Sequence, residues 1–150
     1  IGATLSKKLN NDQNYVYALM GDGELQEGQV WEAAMFAGAK KVNNLIAFVD
    51  WNKRQIDGDV KDVLDLGDLN AKWESFGWKT MEMDGNVMNS ILSTVEKAKS
   101  EVGPVVILMK TEMGAGVDFM MGSHKWHGIP PSDEQLAQAL EQLEETLGDY

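Results

Sequence analysis

Four apolar, β-prone runs punctuate the chain, at Tyr15–Met20 (YVYALM), Leu45–Asp50 (LIAFVD), Trp78–Met83 (WKTMEM) and Val105–Lys110 (VVILMK). Each has the length of a strand and is bounded by polar or turn-forming residues. The first, second and fourth are almost unbroken in apolar residues, the pattern of strands covered on both faces in a parallel sheet. Between the runs the apolar spacing lengthens. Helices are predicted at Gln29–Ala39, Leu69–Phe76 and Val87–Ser100, the last with Val87, Ile91 and Val95 at four-residue spacing. Strand and helix alternate, so the expected fold is α/β, a mostly parallel sheet with helices on both faces. The opening residues, Ile1–Leu9, read as the middle of a helix, and further chain upstream is expected.

After Lys110 the pattern breaks into a glycine- and methionine-rich stretch, Gly114–Gly122, too long and irregular for a simple turn. Loops of this kind in compact domains are usually functional. The last helix is signalled by Pro130-Pro131, by a Ser132…Gln135 capping box, and by Leu136, Leu140, Leu143 and Leu147 on one face, which are expected to pack against the body of the domain.

At 150 residues the chain has the size of one ordinary domain, and residues 1–150 are expected to form it. Its 13 Lys and Arg against 24 Asp and Glu give a net charge of -11, a field that repels nucleic acid and anionic membranes. A small anionic ligand could then bind only through a local device, a helix N-terminus or a bridging metal ion. The absence of cysteine excludes disulfides, thiolate metal sites and cysteine nucleophiles, and fits a reducing, cytoplasmic setting. No apolar run reaches the about 18 residues of a membrane span.

The chemistry gathers at the ends of the first two strands. The first runs into Gly21-Asp22-Gly23-Glu24-Leu25-Gln26-Glu27-Gly28 and directly into a helix. It is not a dinucleotide or P-loop fingerprint, since Gln26 stands where the former needs glycine and Gln29 where the latter needs lysine. By itself Gly-Asp-Gly is more often a turn whose aspartate caps the next helix. The second strand, however, ends in Asp50-Trp51-Asn52. One strand–helix–strand crossover takes roughly thirty residues, so Asp22 and Asn52 are expected side by side at the carboxyl ends of neighbouring parallel strands. A carboxylate, an amide oxygen and a backbone carbonyl from Lys53–Gln55 would form a hard oxygen site for Mg²⁺ or Ca²⁺. Such an ion takes about six ligands, which leaves room for a diphosphate, and Gly21 and Gly23 would let the backbone approach it.

The run GDGELQEGQVWEAAMFAG, Asn52 thirty residues beyond its aspartate, QIDG at Gln55–Gly58, Lys110-Thr111 followed by Gly114-x-Gly116, and Gly122-Ser-His-Lys-Trp-His-Gly128 together resemble the thiamine-diphosphate-binding half of transketolases. The GVDFMM…WHG segment is most similar to the split form, in which the amino-terminal half is a separate polypeptide. The resemblance covers nearly the whole chain and implies the diphosphate-domain fold, here a partial one. It implies that Asp22, Asn52 and the carbonyl of Arg54 hold Mg²⁺ or Ca²⁺, with Gly21 and Gly23 against the diphosphate. It also places His127 over the cofactor, near diphosphate and substrate, and turns Glu27 towards a carboxylate network of the partner half. The activating glutamate would belong to that pyrimidine-binding half or subunit, with the assembly expected to be a dimer of such pairs. The face bearing Glu27 and the small residues Ala33, Ala34, Ala37 and Gly38 suits the close approach of a partner.

The implied reaction is transfer of a two-carbon ketol unit between sugar phosphates. The alternatives are another thiamine-diphosphate enzyme, such as 1-deoxy-D-xylulose-5-phosphate synthase, and a non-catalytic cofactor-binding or assembly module. The same residues admit other uses. His124 and His127, three apart, lack a third zinc ligand, and Glu27 could serve only the dipole of the following helix. Trp126, Met120 and Met121 read as loop anchors, and Asp57 and Asp59 as turn residues beside Gly58. Ile129 occupies a place where the split family more usually has a basic residue, which removes the charge a phosphate contact there would need.

Overall fold

A computed structural model describes residues 1–143. In chain order the elements are α1 (Gly2–Leu9), β1 (Val16–Gly21), a 3₁₀ turn (Gly23–Gln26), α2 (Gly28–Ala39), β2 (Leu45–Trp51), β3 (Arg54–Gln55), β4 (Gly58–Asp59), α3 (Val60–Leu64), α4 (Leu69–Ser75), β5 (Lys79–Asp84), α5 (Met88–Lys99), β6 (Val105–Lys110), a second 3₁₀ turn (His124–His127) and α6 (Asp133–Gln142). Four strands form one sheet in the order β1-β2-β6-β5, every pair parallel. Gly21 of β1 stands opposite Asp50 of β2, which stands opposite Met109 of β6. The carboxyl ends of three adjacent strands are therefore level, and open parallel sheets bind ligands at that edge.

Helices cover both faces of the sheet. On one, Ala47, Val49, Val106 and Leu108 are buried against Ala34 and Ala37 of α2 and against Leu69 and Trp73 of α4. Three tryptophans knit that layer: Trp73 lies 5.2 Å from Trp31 and edge-on to Trp78 at 4.8 Å between ring centres. The Trp78 indole donates to the Ala34 carbonyl at 2.8 Å. Gly38 closes the packing, because a Cβ there would lie 1.7 Å from the Phe76 carbonyl oxygen. On the other face Ile46, Met83, Val105 and Ile107 bury against Ala98 of α5.

The central strands β2 and β6 are enclosed, as their apolar runs predict, but β1 is not. Tyr17 and Leu19 are 50% and 70% exposed among the described residues, and it is the alternate positions Val16, Ala18 and Met20 that pack on the core. Helix α5 begins at Met88, so that Val87 becomes its exposed N-cap. Of the small residues of α2, Ala34 and Ala37 are buried and Gly38 meets Phe76, so these three serve the chain's own packing and not the partner surface expected of them, while Ala33 is half-buried. The capping box of α6 forms as expected, with the Ser132 hydroxyl accepting from Gln135 N–H and the Gln135 side chain accepting from Ser132 N–H. Its leucine face does not pack as expected. Leu136, Leu140 and Leu143 are about half exposed or more, and Ala139 is the buried position; Leu147 lies outside the described residues.

Candidate functional site

The turn after β1 is built around a buried carboxylate. Asp22, 1% exposed, starts the 3₁₀ turn and accepts the Gly23 N–H at 2.8 Å, which is the capping role of a Gly-Asp-Gly turn. It also reaches across to the next strand. Its other oxygen accepts the Lys53 N–H at 2.6 Å, while its own N–H donates to the Asp50 carbonyl at 3.1 Å. Capping and strand-bridging readings are therefore both realised by one side chain.

The chain beyond β2 is bent to make that contact. Lys53 has φ +65°, a left-handed conformation that costs a residue with a side chain about 1–2 kcal/mol. The bend sends Arg54 and Gln55 into a two-stranded hairpin with Gly58 and Asp59, held by an Arg54–Asp59 ion pair. Asp59 is thus a pairing residue and the N-cap of α3, not simply a turn residue. Asn52, at the bend, accepts the Arg54 N–H on its side-chain oxygen at 2.8 Å and donates from its amide nitrogen to Asp50 at 3.1 Å.

Asp22 has no cationic side chain within hydrogen-bonding or ion-pair distance among the described residues. Its carboxyl is held above the ordinary value of 3.8, chiefly by burial and further by the charge of Asp50, while the N–H groups of Lys53 and Gly23 oppose the rise. A buried carboxylate with amide donors on one side and a second carboxylate nearby is a place where a hard cation relieves an electrostatic cost. Among the described residues no three His, Asp or Glu side chains cluster as metal ligands.

Gly21, Asp22, Gly23, Glu27, Asn52, Arg54 and His127 all line one cleft of about 580 Å³. Two glycines line its wall in different surroundings. Gly21 has nothing within 4 Å of where a Cβ would stand, so the backbone there faces open space. A Cβ on Gly23 would come within 2.8 Å of the Gln55 side-chain oxygen. Glu27 is the exposed N-cap residue of α2 but makes no capping hydrogen bond through its side chain.

His127 arrives on the loop that leaves the central strand β6. The loop after β6 is folded by contacts of its own: Glu112 accepts the Gly122 N–H at 2.9 Å, Val117 is buried, and the Trp126 indole donates to the Phe119 carbonyl at 2.9 Å with the two rings edge-on at 5.4 Å. Trp126 is therefore the loop anchor expected of it. The turn His124–His127 packs against the hairpin, which brings His127 to the cleft beside Asn52 and Asp50. Three residues of the site, Gln55, Asp50 and Thr111, stand in the motifs of the sequence but carry no role of their own there. The Thr111 hydroxyl donates to the Asp50 carboxylate, a contact that nothing in the spacing of the two residues signals.

Residues 3–146 match the family described as transketolase, thiamine diphosphate binding domain. The chain belongs to the transketolase family. It is 41% identical over 145 residues to a 6-deoxy-6-sulfo-D-fructose transketolase subunit of Clostridium sp. (strain MSTE9), covering 96% of this chain and 53% of that protein. To an apulose-4-phosphate transketolase subunit of Actinobacillus succinogenes it is 38% identical, with 97% and 52% covered. The crystal structure of transketolase from Campylobacter jejuni superposes with a TM-score of 0.86 at 33% identity, over 93% of this chain and 22% of that one. The chain spans about half the length of the curated subunit relatives it matches. The likeness in sequence and fold identifies the sheet as that of the thiamine-diphosphate-binding domain of transketolases. No helix among the described residues is long and apolar enough to cross a membrane.

Proposed function

We propose that the protein is the cofactor-anchoring part of a transketolase, one that moves a two-carbon ketol unit between sugar phosphates with thiamine diphosphate and a divalent cation, Mg²⁺ or Ca²⁺. Residues 1–150 would form part of its diphosphate-binding domain. The observation that carries this reading is the single cleft that gathers the buried Asp22, Asn52 and Arg54 with Gly21, Gly23, Glu27 and His127. The donor set suits the group. Asp22 and the Asn52 oxygen, with the Arg54 carbonyl, would hold the cation, and the open backbone at Gly21, with Gly23 beside it, would receive the diphosphate.

The cleft also explains why a cation is needed at all. Asp22, Glu24, Glu27, Asp50 and Asp57 line it, and Arg54 is already paired with Asp59. A diphosphate entering such a wall without a divalent ion between would meet net repulsion. When bound, thiamine diphosphate supplies the electron sink for the carbanion left by carbon–carbon cleavage. Glu27, exposed at the start of α2, would turn its carboxylate to the partner half and link to the glutamate there. His127, on the opposite lip, would hold the diphosphate or the incoming sugar by a hydrogen bond.

The partner would be a pyrimidine-binding half or subunit, in a dimer of such pairs, and this chain alone would be inactive. That two relatives are named as subunits supports the split arrangement. Their names carry a sulfonated and a phosphorylated sugar, which supports a substrate with a terminal anionic group. The test is reconstitution of the full-length protein with its partner, Mg²⁺ and thiamine diphosphate, followed by assay of ketose and aldose phosphate pairs. Ketol transfer is expected. Accumulation of deoxyxylulose phosphate from pyruvate would replace this reading, and cofactor binding without turnover of either kind would reduce the protein to a binding module.

A further inference from the structure

We infer that Asp50 and Thr111 form a positioning relay that fixes which way the Asn52 amide points, and through it the affinity of the divalent-cation site. The inference rests on the cation reading above and adds two residues to it. Asn52 presents its oxygen to the Arg54 N–H at 2.8 Å and its amino group to Asp50 at 3.1 Å. Rotating the amide by half a turn would set its amino group against an N–H donor and its oxygen against a carboxylate, two repulsive contacts in place of two hydrogen bonds. Asp50 thereby keeps the Asn52 oxygen on the Arg54 side, where the backbone of the bend runs. Both Asp50 oxygens act as acceptors, one from the Asn52 amino group and one from the Thr111 hydroxyl, which suits this role.

Asp50 is itself held. Its second oxygen accepts the Thr111 hydroxyl, and its backbone carbonyl accepts the Asp22 N–H at 3.1 Å, so one residue touches the side chain of Asn52 and the backbone of Asp22, the two residues proposed as side-chain ligands. Thr111 in turn is seated by the end of β5. Its methyl lies 2.5 Å from where a Cβ on Gly85 would stand, and Gly85 donates its N–H to the Lys110 carbonyl at 2.9 Å. The missing side chain at Gly85 leaves a slot for the methyl, with the hydroxyl on Asp50. The relay runs across three strand ends, β5 to β6 to β2, and Thr111 also begins the loop that carries His127.

The experiment is Mn²⁺ binding, followed by electron paramagnetic resonance with saturating thiamine diphosphate, on the full-length protein and its Thr111→Val, Thr111→Ser, Asp50→Asn and Asp22→Ala variants, with the melting midpoint of each recorded without metal. Groups that orient metal ligands typically change affinity by about 10–100-fold when removed. Thr111→Val and Asp50→Asn are expected to weaken Mn²⁺ binding within that range, and Thr111→Ser, which keeps the hydroxyl, to restore it, with melting midpoints near the parent. Parent-like affinity in Thr111→Val, or a loss that Thr111→Ser does not repair, would overturn the relay. Should Thr111→Val fail to fold, Asp50→Asn decides by the same criterion. Asp22→Ala separates the two layers. If it loses Mn²⁺ while Thr111→Val and Asp50→Asn do not, only the relay falls; if it binds as the parent does, the cation site falls and the relay with it.

Discussion

Asp22 and Lys53, thirty-one positions apart, are joined by a 2.6 Å hydrogen bond from the Lys53 N–H to the Asp22 carboxylate. The contact explains why Lys53 is held in a left-handed conformation: only with the chain bent there does an amide of the β2 end point at the end of β1. The strain is spent on presenting Asn52 and the hairpin to the same cleft, a common use of unfavourable backbone at functional sites.

Cation binding is expected to weaken as the pH falls, and to begin doing so at a higher pH than for an ordinary carboxylate site. Proton and cation compete for Asp22, whose carboxyl is raised above 3.8 by burial. The sign for stability is the reverse. A carboxyl raised on folding favours the fold below its unfolded value, and that contribution is lost as pH rises through the folded value, so metal should stabilise the protein most at neutral pH. Melting midpoints with and without Mg²⁺ across the acid range test both, and a metal-induced shift that grows on acidification would contradict the assignment.

Gly23→Ala is expected to leave the fold in place and to weaken thiamine diphosphate binding. The new Cβ would lie 2.8 Å from the Gln55 side-chain oxygen, which can move, and 3.1 Å from the Gln55 Cβ, which must give by a few tenths of an ångström; the methyl group would occupy the wall proposed for the diphosphate. Calorimetry on the variant, beside its melting curve, separates the two effects.

Gly38→Ala is expected to act on stability. Its Cβ would stand 1.7 Å from the Phe76 carbonyl oxygen, a backbone atom, so α2 or the turn after α4 must move. Overpacking of this kind costs about 1–3 kcal/mol and sometimes more. Denaturant unfolding measures it, and a variant as stable as the parent would show that α2 is less tightly seated than the packing implies.

Trp126→Ala is expected to loosen the loop that delivers His127. Removing the indole loses the hydrogen bond to Phe119 and the edge-on ring contact. Aromatic pairs of this geometry contribute about 0.5–1.5 kcal/mol. Amide exchange should quicken between Gly114 and Gly128, and cofactor affinity should fall while the sheet stays protected. Unchanged exchange in the loop would mean that Glu112 and Val117 hold it alone.

Much of this architecture is legible in the order of residues alone. The runs LIAFVD and VVILMK are apolar because β2 and β6 lie inside the sheet with both faces covered, and a single crossover between Asp22 and Asn52 is enough to bring them together. What escapes has a common cause. The hairpin Arg54–Asp59 is two residues deep, too short for any period, and depends on the bend at Lys53 and the Arg54–Asp59 pair. Asp50 sits at the end of an apolar run, where a polar residue reads as a boundary, and its link to Thr111 joins positions 61 residues apart. Tyr17 and Leu19 look like core residues because side-chain character does not say whether a strand is at the sheet edge.

The most direct test of the cation site is calorimetric titration of thiamine diphosphate into the full-length protein with its partner, with and without Mg²⁺, for the parent and Asp22→Ala. Binding in the parent is expected to require Mg²⁺, and in Asp22→Ala to disappear in both conditions while the melting curve shows a folded protein. Undiminished, Mg²⁺-dependent affinity in Asp22→Ala would contradict the assignment of this carboxylate as the anchor of the site.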